Sequence, residues 1–235
     1  MVLHVDALTT GYLHAPVLRD VSLTVGDEIV AVLGANGAGK TTLLRALSGE
    51  VHAWSGSVAL DGRDLKRNTV WSRARAGLAH VPEGRHSFGA MSVSDNLEVA
   101  GLAGRRSKRG FSRDEVFAIF PRLAERRSQL AGSLSGGEQQ MLVVGRALMS
   151  GPRVLVIDEL SAGLAPVTAR QLVDSLRAIH ERGVSMLLVE QSPRLIADLV
   201  DRVYVLDRGC ITAQGTIDDI GGADGLAEIY LGASA

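Results

Sequence analysis

Cysteine, aromatic residues and long apolar runs are all scarce in this chain of 235 residues. The single cysteine, Cys210, excludes an internal disulfide and a zinc site built from cysteines. No stretch approaches the about 20 apolar residues that a membrane-spanning helix needs, so we expect no membrane span. Because aromatic residues make up only 4% of the chain, Val, Leu, Ile and Ala have to form the core. Such a core suits a buried, mostly parallel sheet.

The charges of the chain are nearly balanced. Its 25 Lys and Arg residues against 26 Asp and Glu residues give a net charge of -1, so we expect no nucleic-acid partner. A hydrophobic fraction of 46% and a charged fraction of 22% are typical of a globular protein and exclude a disordered or collagen-like chain. The N-terminal residues lack the charged-then-apolar pattern of a secretion signal, which makes the cytosol the expected compartment.

Short apolar runs rich in β-branched residues alternate with helical patterns along the chain, which is typical of an α/β fold with a largely parallel sheet. The first two predicted strands are too close for a crossover connection, and we expect them to form an antiparallel β-layer beside the main sheet. The predicted strands are residues 2–8, 17–25, 28–33, 78–81, 154–157, 185–189 and 203–206, and the predicted helices are 40–48, 137–149, 167–181 and 193–200.

The strand pattern stops between about residue 82 and residue 151. Helical patterns at residues 93–102 and 113–120, and the one that follows residue 137, take its place. We therefore interpret the chain as one domain, in which a helical subdomain of about residues 83–150 is inserted into an α/β core of residues 1–82 and 151–235.

A glycine-rich segment, Gly-Ala-Asn-Gly-Ala-Gly-Lys-Thr-Thr, lies between the predicted strand 28–33 and the helix that follows it. Its glycines allow the backbone to wrap around a phosphate, so that N–H groups and the helix start point at the anion. Lys40 can reach the β- and γ-phosphates of a nucleotide, and the Thr41 hydroxyl can bind Mg²⁺. The predicted nucleotide-binding residues of this loop are Gly34, Asn36, Gly37, Gly39, Lys40, Thr41 and Thr42.

A second predicted strand, residues 154–157, ends in two adjacent acids, Asp158 and Glu159. At the carboxyl edge of a sheet, beside a phosphate loop, Asp158 can hold Mg²⁺ directly or through water. Glu159 can orient an attacking water there as a general base. Taken alone, the pair is also compatible with a plain turn into a helix, but its combination with the phosphate loop favours the catalytic interpretation.

The most specific segment is Leu-Ser-Gly-Gly-Glu-Gln-Gln at residues 134–140. A serine and two glycines just ahead of a helix form an anion site from a hydroxyl and backbone N–H groups. With this segment the sequence resembles the ATP-binding subunits of ABC transporters, whose signature motif it matches. The resemblance implies a P-loop NTPase (RecA-like) core and a head-to-tail dimer. In that dimer the phosphate loop of one subunit and the signature of the other close on one ATP. The signature residues are Ser135, Gly136, Gly137 and Glu138.

The resemblance covers essentially the whole chain and assigns further residues. Tyr12, between the first two predicted strands, corresponds to the aromatic residue that stacks on adenine. Glu83 stands where most of the family has a glutamine that touches the Mg²⁺ site. Gln191 occupies the catalytic switch position that is usually histidine, where it can donate a hydrogen bond to the γ-phosphate but cannot become cationic. Ala165 replaces the usual aspartate of the loop across the dimer interface.

Three segments together resemble one branch of the family, the second ATPase of branched-chain amino acid importers. They are Val-Pro-Glu-Gly-Arg at 81–85, Ala-Gly-Leu-Ala-Pro at 162–166 and Val-Glu-Gln at 189–191. Leu160 departs from this branch, which has proline there. The resemblance implies ATP hydrolysis with Mg²⁺ on the cytoplasmic face of the membrane. It also implies a second ATPase subunit or a second copy of this chain, two membrane permease subunits, and indirectly an extracytoplasmic substrate-binding protein.

Three classes of function are compatible with these residues. An importer ATPase is favoured, with branched-chain amino acids as the solute or, as in related importers, urea or amides. A soluble ABC ATPase of repair, translation or cofactor assembly often carries paired domains, coiled-coil insertions or basic extensions, none of which the sequence contains. A nucleotide-binding regulator that no longer hydrolyses ATP is supported only by the missing switch histidine, and the presence of Glu159 argues against it.

Overall fold

The computed structural model describes residues 3–65, 69–84, 86–104, 110–159, 161–190 and 193–222. A six-stranded sheet forms its centre. Neighbouring strands of this sheet run parallel, except for one antiparallel pair at one edge, which the two strands nearest the C-terminus form. In spatial order the sheet consists of β10 (Cys210–Gly215), β9 (Arg202–Asp207), β3 (Ile29–Leu33), β8 (Ser185–Val189), β7 (Val154–Asp158) and β6 (Leu78–Val81). The predicted α/β fold with a mostly parallel sheet is confirmed.

A four-stranded antiparallel layer lies beside this sheet, as predicted. In spatial order its strands are β2 (Ala15–Val25), β1 (Leu3–Tyr12), β4 (Ser55–Leu60) and β5 (Arg63–Asp64). The last two strands were not predicted, because a Ser-Gly-Ser sequence interrupts the apolar pattern of β4 and β5 has only two residues.

The first two strands extend further than the sequence indicated. Tyr12 is the last residue of β1 and pairs with Ala15, so it lies in the ladder and not in the loop where we expected it. The turn is made by Leu13 and His14, both with positive φ. Because this turn has only two residues, Tyr12 lies at the end of a tight hairpin.

Eight α-helices are found in the part of the chain that the structure describes. None of them is long and apolar enough to cross a membrane. They are α1 (Lys40–Ser48), α2 (Val70–Ala76), α3 (Val93–Gly104), α4 (Arg113–Ile119), α5 (Pro121–Glu125), α6 (Gly136–Met149), α7 (Pro166–His180) and α8 (Pro193–Ile196).

Two helices differ from the sequence prediction for identifiable reasons. Helix α8 ends at Ile196 and not at residue 200, because the N–H of Leu199 bonds back to the carbonyl of Ile196 in a tight turn. Helix α2 was missed because its only buried residue is Arg73, so its sequence carries no apolar stripe.

The strands of the parallel sheet send alternate side chains into two cores. Ile29 and Ala31 pack in one core with residues of helices α3 to α7. Val30 and Val32 pack in the other core with α1 and the antiparallel layer. Both faces are buried, which explains why these strands read as continuous apolar runs.

The inserted helices share the first of these cores with the sheet. Leu97 of α3, Val116 of α4 and Val144 of α6 are all fully buried, in one cluster with residues of β3 and β7. The helical region and the sheet are therefore packed against each other through a common apolar core. The division of the chain into an α/β core and a helical subdomain at about residues 83 and 150 stays a prediction.

The substitution Leu187→Ala tests the central position of β8. Leu187 is 0% exposed, so its removal should leave a cavity and lower the free energy of unfolding by about 2–5 kcal/mol. Leu13→Ala is the matched control, because Leu13 is 97% exposed. Urea denaturation measures both variants, and equal effects of the two would contradict this description of the core.

Candidate functional site

The glycine-rich segment links the end of β3 to the start of α1. Gly39 precedes the helix with φ 110°, a conformation that favours glycine, and no side chain of the N-cap residue binds the N–H groups of the first turn. These N–H groups and the positive end of the helix are therefore available to an anion. Gly34 is buried under the loop, whereas Asn36 and Gly37 are exposed at its tip.

Lys40 spans this loop from within. Its side chain is buried, and its Nζ donates hydrogen bonds to the carbonyl oxygens of Gly34 at 2.6 Å and of Ala35 at 3.1 Å. Burial lowers the pKa of Lys40, while the charges of Glu159 and Asp158 act in the opposite direction. The lysine and the two acids thus lie in one electrostatic environment, as the sequence predicted.

Asp158 is the last residue of β7 and is only 1% exposed. Burial raises its pKa to about 6, and the charges of Glu159 and Glu83 add to this, whereas a hydrogen bond from Thr41 and the charge of Lys40 oppose it. Among the described residues, its Oδ1 atom has no hydrogen-bond partner. The site therefore holds a buried acceptor that the described part of the chain does not satisfy.

Glu159 follows directly, at the carboxyl edge of the sheet. Its backbone has φ 45°, in the left-handed region that costs a non-glycine residue about 1–3 kcal/mol. The neighbouring strand holds this conformation, because the Glu159 N–H donates to the carbonyl of Val189 at 2.8 Å. The half-buried Glu159 is thereby turned out of the strand at the point where the sheet meets the phosphate loop.

A second helix start with the features of an anion site is found at α6. Ser135 is its N-cap, and Ser135 and Glu138 form a reciprocal capping box. Gly137 is needed for close packing, because a Cβ atom at this position would clash with the Cγ2 atom of Thr168. The serine is exposed, while Gly137 is buried against α7.

Comparison with known proteins decides the family. The family model described as "ABC transporter" matches residues 18–162, a range that includes the phosphate loop, the signature segment and both acids. The chain belongs to the ABC transporter family. It is an ATP-binding cassette ATPase with a P-loop NTPase fold, which confirms the family and fold class predicted from the sequence.

Curated relatives match the cassette over nearly its whole length. The branched-chain amino acid transport ATP-binding protein BraG of Pseudomonas aeruginosa is 43% identical over 216 residues, which are 92% of this chain and 93% of the relative. The lipopolysaccharide export ATP-binding protein LptB of Haemophilus influenzae is 31% identical over 236 residues, 98% of this chain and 97% of the relative. A solved structure described as the ATP binding subunit of an ABC transporter is 27% identical with a TM-score of 0.83, and the match covers 100% of both chains.

The remaining predicted residues lie beside the phosphate-loop helix, near Asp158, or outside the described residues. The hydroxyl of Tyr12 accepts a hydrogen bond from Arg45 of the phosphate-loop helix, and this bond raises the pKa of Arg45. Glu83 is exposed just after β6, close enough to influence Asp158. Gln191 and Leu160 lie outside the described residues.

The residues present fit a magnesium ion. Mg²⁺ prefers oxygen ligands and is usually held by one or two protein groups together with substrate phosphates and water. The unpartnered Oδ1 of buried Asp158 and the hydroxyl of Thr41 beside it are such ligands, and Glu83 adds negative charge nearby.

A buried acid that sequence analysis missed ties two loops of the site together. Glu190, which is 3% exposed, accepts hydrogen bonds from the N–H of Ser161 at 3.0 Å and from its hydroxyl at 2.8 Å. It thereby connects the end of β8 to the loop after Glu159. An acid directly after an apolar strand is the pattern that identified Asp158, and the same pattern could have identified Glu190.

Another missed residue supports the far end of the phosphate-loop helix. The buried guanidinium of Arg73 donates to the carbonyl oxygens of Ala46 and Leu47, both at 2.7 Å. A cation at a helix C-terminus compensates the negative end of the helix dipole and its unpaired carbonyls. Arg73 therefore helps to fix α1 in place from α2.

The variant Asp158→Asn tests the burial of this acid in protein freed of metal with a chelator. Because the pKa of Asp158 is raised from 3.8 to about 6, its contribution to stability is present below pH 4 and is lost as the pH rises to 6. The asparagine side chain cannot ionise, so the stability of the variant should not fall over this pH range. Above pH 6 its free energy of unfolding should therefore exceed that of the parent by roughly 1–3 kcal/mol. Near pH 4 the two proteins should be about equal.

Chemical denaturation between pH 4 and pH 8 measures this difference, and the exposed Asp27→Asn is the control. A parent and an Asp158→Asn variant that differ by a constant amount over the whole range would contradict the assignment.

Proposed function

We propose that this cassette binds the triphosphate of ATP through residues 34–42, hydrolyses it with Glu159 as the general base, and powers a membrane importer for branched-chain amino acids. The observation that carries the proposal is the grouping of Lys40, Asp158 and Glu159 around one uncapped helix start. A lysine, a ligand for a metal and a base are the groups that phosphoryl transfer to water requires.

Binding begins with charge compensation. The Lys40 ammonium is held by two carbonyl oxygens of the loop, so it needs only a small shift to reach the phosphates. The N–H groups of α1 bind the same anion. Thr41 and Asp158 would hold Mg²⁺, which would supply positive charge to neutralise the phosphates, and Tyr12 would stack on the adenine.

Hydrolysis then requires a water in line with the γ-phosphorus atom. Glu159 accepts a proton from this water, and its fixed backbone conformation at the sheet edge keeps the carboxylate in place. Gln191 donates a hydrogen bond to the γ-phosphate as the switch residue.

The cassette acts as a dimer. Each chain carries two anion-binding helix starts, at α1 and at α6, and one nucleotide site needs one of each kind. We infer that the residues of the signature, Ser135 to Glu138, contact the ATP held by the phosphate loop of the other subunit. The other subunit is a second ATPase or a second copy of this chain.

The relatives support one transported solute and one set of membrane partners more than others. The 43% identity to BraG, together with the three branch-specific segments, supports branched-chain amino acid import with two permease subunits and an extracytoplasmic binding protein. The cassette then acts at the cytoplasmic face of the membrane. Similarity to LptB at 31% identity makes an export system the second candidate.

The variant Glu159→Gln tests the general base. It should retain ATP binding, accumulate an ATP-bound dimer and lose about 100-fold or more in turnover, because the amide cannot accept the proton. Phosphate release and size-exclusion chromatography with light scattering measure these effects, and the exposed Glu181→Gln is the control. Turnover at the parental rate would eliminate Glu159 as the base.

A pull-down in mild detergent from the membranes of the native cells tests the assembly. Mass spectrometry should identify two multi-span permeases and a second ATPase, and uptake of radiolabelled leucine should depend on this chain. Copurification of lipopolysaccharide export components would favour the second candidate. Ribosomes, nucleic acid or the absence of any partner would contradict the transporter assignment.

A further inference from the structure

We propose that Arg126 is a positioning residue of the signature site, which neutralises Glu138 so that the start of α6 can receive the phosphate of an ATP held by another subunit. The inference rests on the proposed function, because it concerns how the signature binds that ATP. It assigns a role in this binding to a residue outside the signature segment. It comes from an ion pair between the helical region ahead of α6 and the capping box of that helix.

The ion pair joins Arg126 to the acid of the capping box. The Nε atom of Arg126 donates to the Oε1 atom of Glu138 at 2.6 Å, and its side chain also donates to Gln129 at 3.2 Å. The side chain of Glu138 is only 14% exposed, so solvent screens its charge weakly. This geometry is that of a short charge-assisted hydrogen bond.

The other oxygen of Glu138 is occupied by the serine of the signature. Its Oε2 atom accepts hydrogen bonds from the N–H of Ser135 at 2.9 Å and from the Ser135 hydroxyl at 2.8 Å. A hydroxyl has a single proton to donate. The proton that would bind a phosphate oxygen therefore points at Glu138 in this structure, and it has to turn away from Glu138 when a phosphate arrives.

The charge of Glu138 makes Arg126 necessary. An isolated carboxylate three residues into a helix that binds phosphate would repel the phosphate and hold the serine proton strongly. Burial alone would raise the pKa of Glu138, yet the hydrogen bonds from Ser135 and Arg126 lower it, so the group is ionised at neutral pH. Arg126 cancels this charge on the side away from Ser135, which leaves the positive helix end to dominate.

A chemical probe at position 135 tests the local charge without any dimer. Ser135→Cys in a Cys210→Ser background places a single thiol at the helix start, and its rate of alkylation by iodoacetamide at pH 7 follows its thiolate fraction. Adding Arg126→Gln should slow alkylation about threefold to tenfold, because an unpaired Glu138 disfavours the thiolate.

Two further variants separate charge from packing. Arg126→Lys keeps the charge and should restore most of the rate. Arg127→Gln is the matched control, because Arg127 is exposed and forms no ion pair among the described residues. In a Glu138→Gln background no carboxylate holds the guanidinium near the helix start, so Arg126→Gln should have a clearly smaller effect. Equal rates for Arg126→Gln and Arg127→Gln, or an effect of undiminished size in that background, would overturn the inference.

The functional consequence is measured on ATP-dependent dimers in the Glu159→Gln background. Arg126→Gln should raise the dimer dissociation constant about tenfold at low salt, and this difference should shrink at about 0.5 M salt because the effect is electrostatic. ATP binding to the single subunit reports the phosphate loop alone and confirms that the variant is folded. An unchanged dimer constant would overturn the role in phosphate binding.

The alkylation rates and the dimer constant allow the inference and the proposed function to fail independently. If the Glu159→Gln protein formed no ATP-dependent dimer with itself, a second copy of this chain would be eliminated as the other subunit, and the dimer constant would be measured with the second ATPase instead. The thiol rates would then decide on their own whether Arg126 sets the charge at Ser135.

Discussion

The buried carboxylate of Asp158 is the constraint on which the arrangement of the site depends. A strand buried on both faces brings this acid to a place with 1% exposure, where its ionised form is disfavoured. Thr41 and Lys40 offset part of that cost, and a bound magnesium ion would offset more of it. Within the described part of the chain, Oδ1 of Asp158 is an acceptor without a partner, which suits it to a ligand from outside.

The two helix starts that we propose as phosphate sites differ in how their first N–H groups are capped. Helix α1 begins after a glycine and has no side-chain cap, so its N–H groups face no competing acceptor from a capping residue. Helix α6 is closed by its own capping box, in which Ser135 and Glu138 bind each other. A phosphate at α1 finds a prepared site, whereas a phosphate at α6 has to displace an internal hydrogen bond. Under the proposed function, a nucleotide would therefore bind the phosphate loop of one subunit first and join two subunits afterwards.

The sequence predicted the strands of the parallel sheet well because those strands are short, apolar and followed by polar residues. It also predicted that Lys40, Asp158 and Glu159 lie together, while their catalytic roles stay predictions. Strand β6 and helix α1 have the predicted bounds. Elements without a continuous apolar pattern were not predicted. Strand β4 is half-exposed, and α2 is anchored by the buried Arg73 and not by an apolar stripe. Contacts between residues far apart in sequence, such as that between Glu190 and Ser161, depend on sheet order, which local patterns do not specify.

The strands that pair with β3 determine how early during synthesis the nucleotide site can form. This strand carries the phosphate loop at residues 34–42, yet it is hydrogen-bonded between β8 and β9, which begin only at Ser185 and Arg202. During synthesis the loop therefore leaves the ribosome long before the strands that fix its position, and ATP cannot assist the folding of the first half of the chain. The nascent subunit has to collapse without its ligand, and its nucleotide site can form only after β8 and β9 have been synthesised.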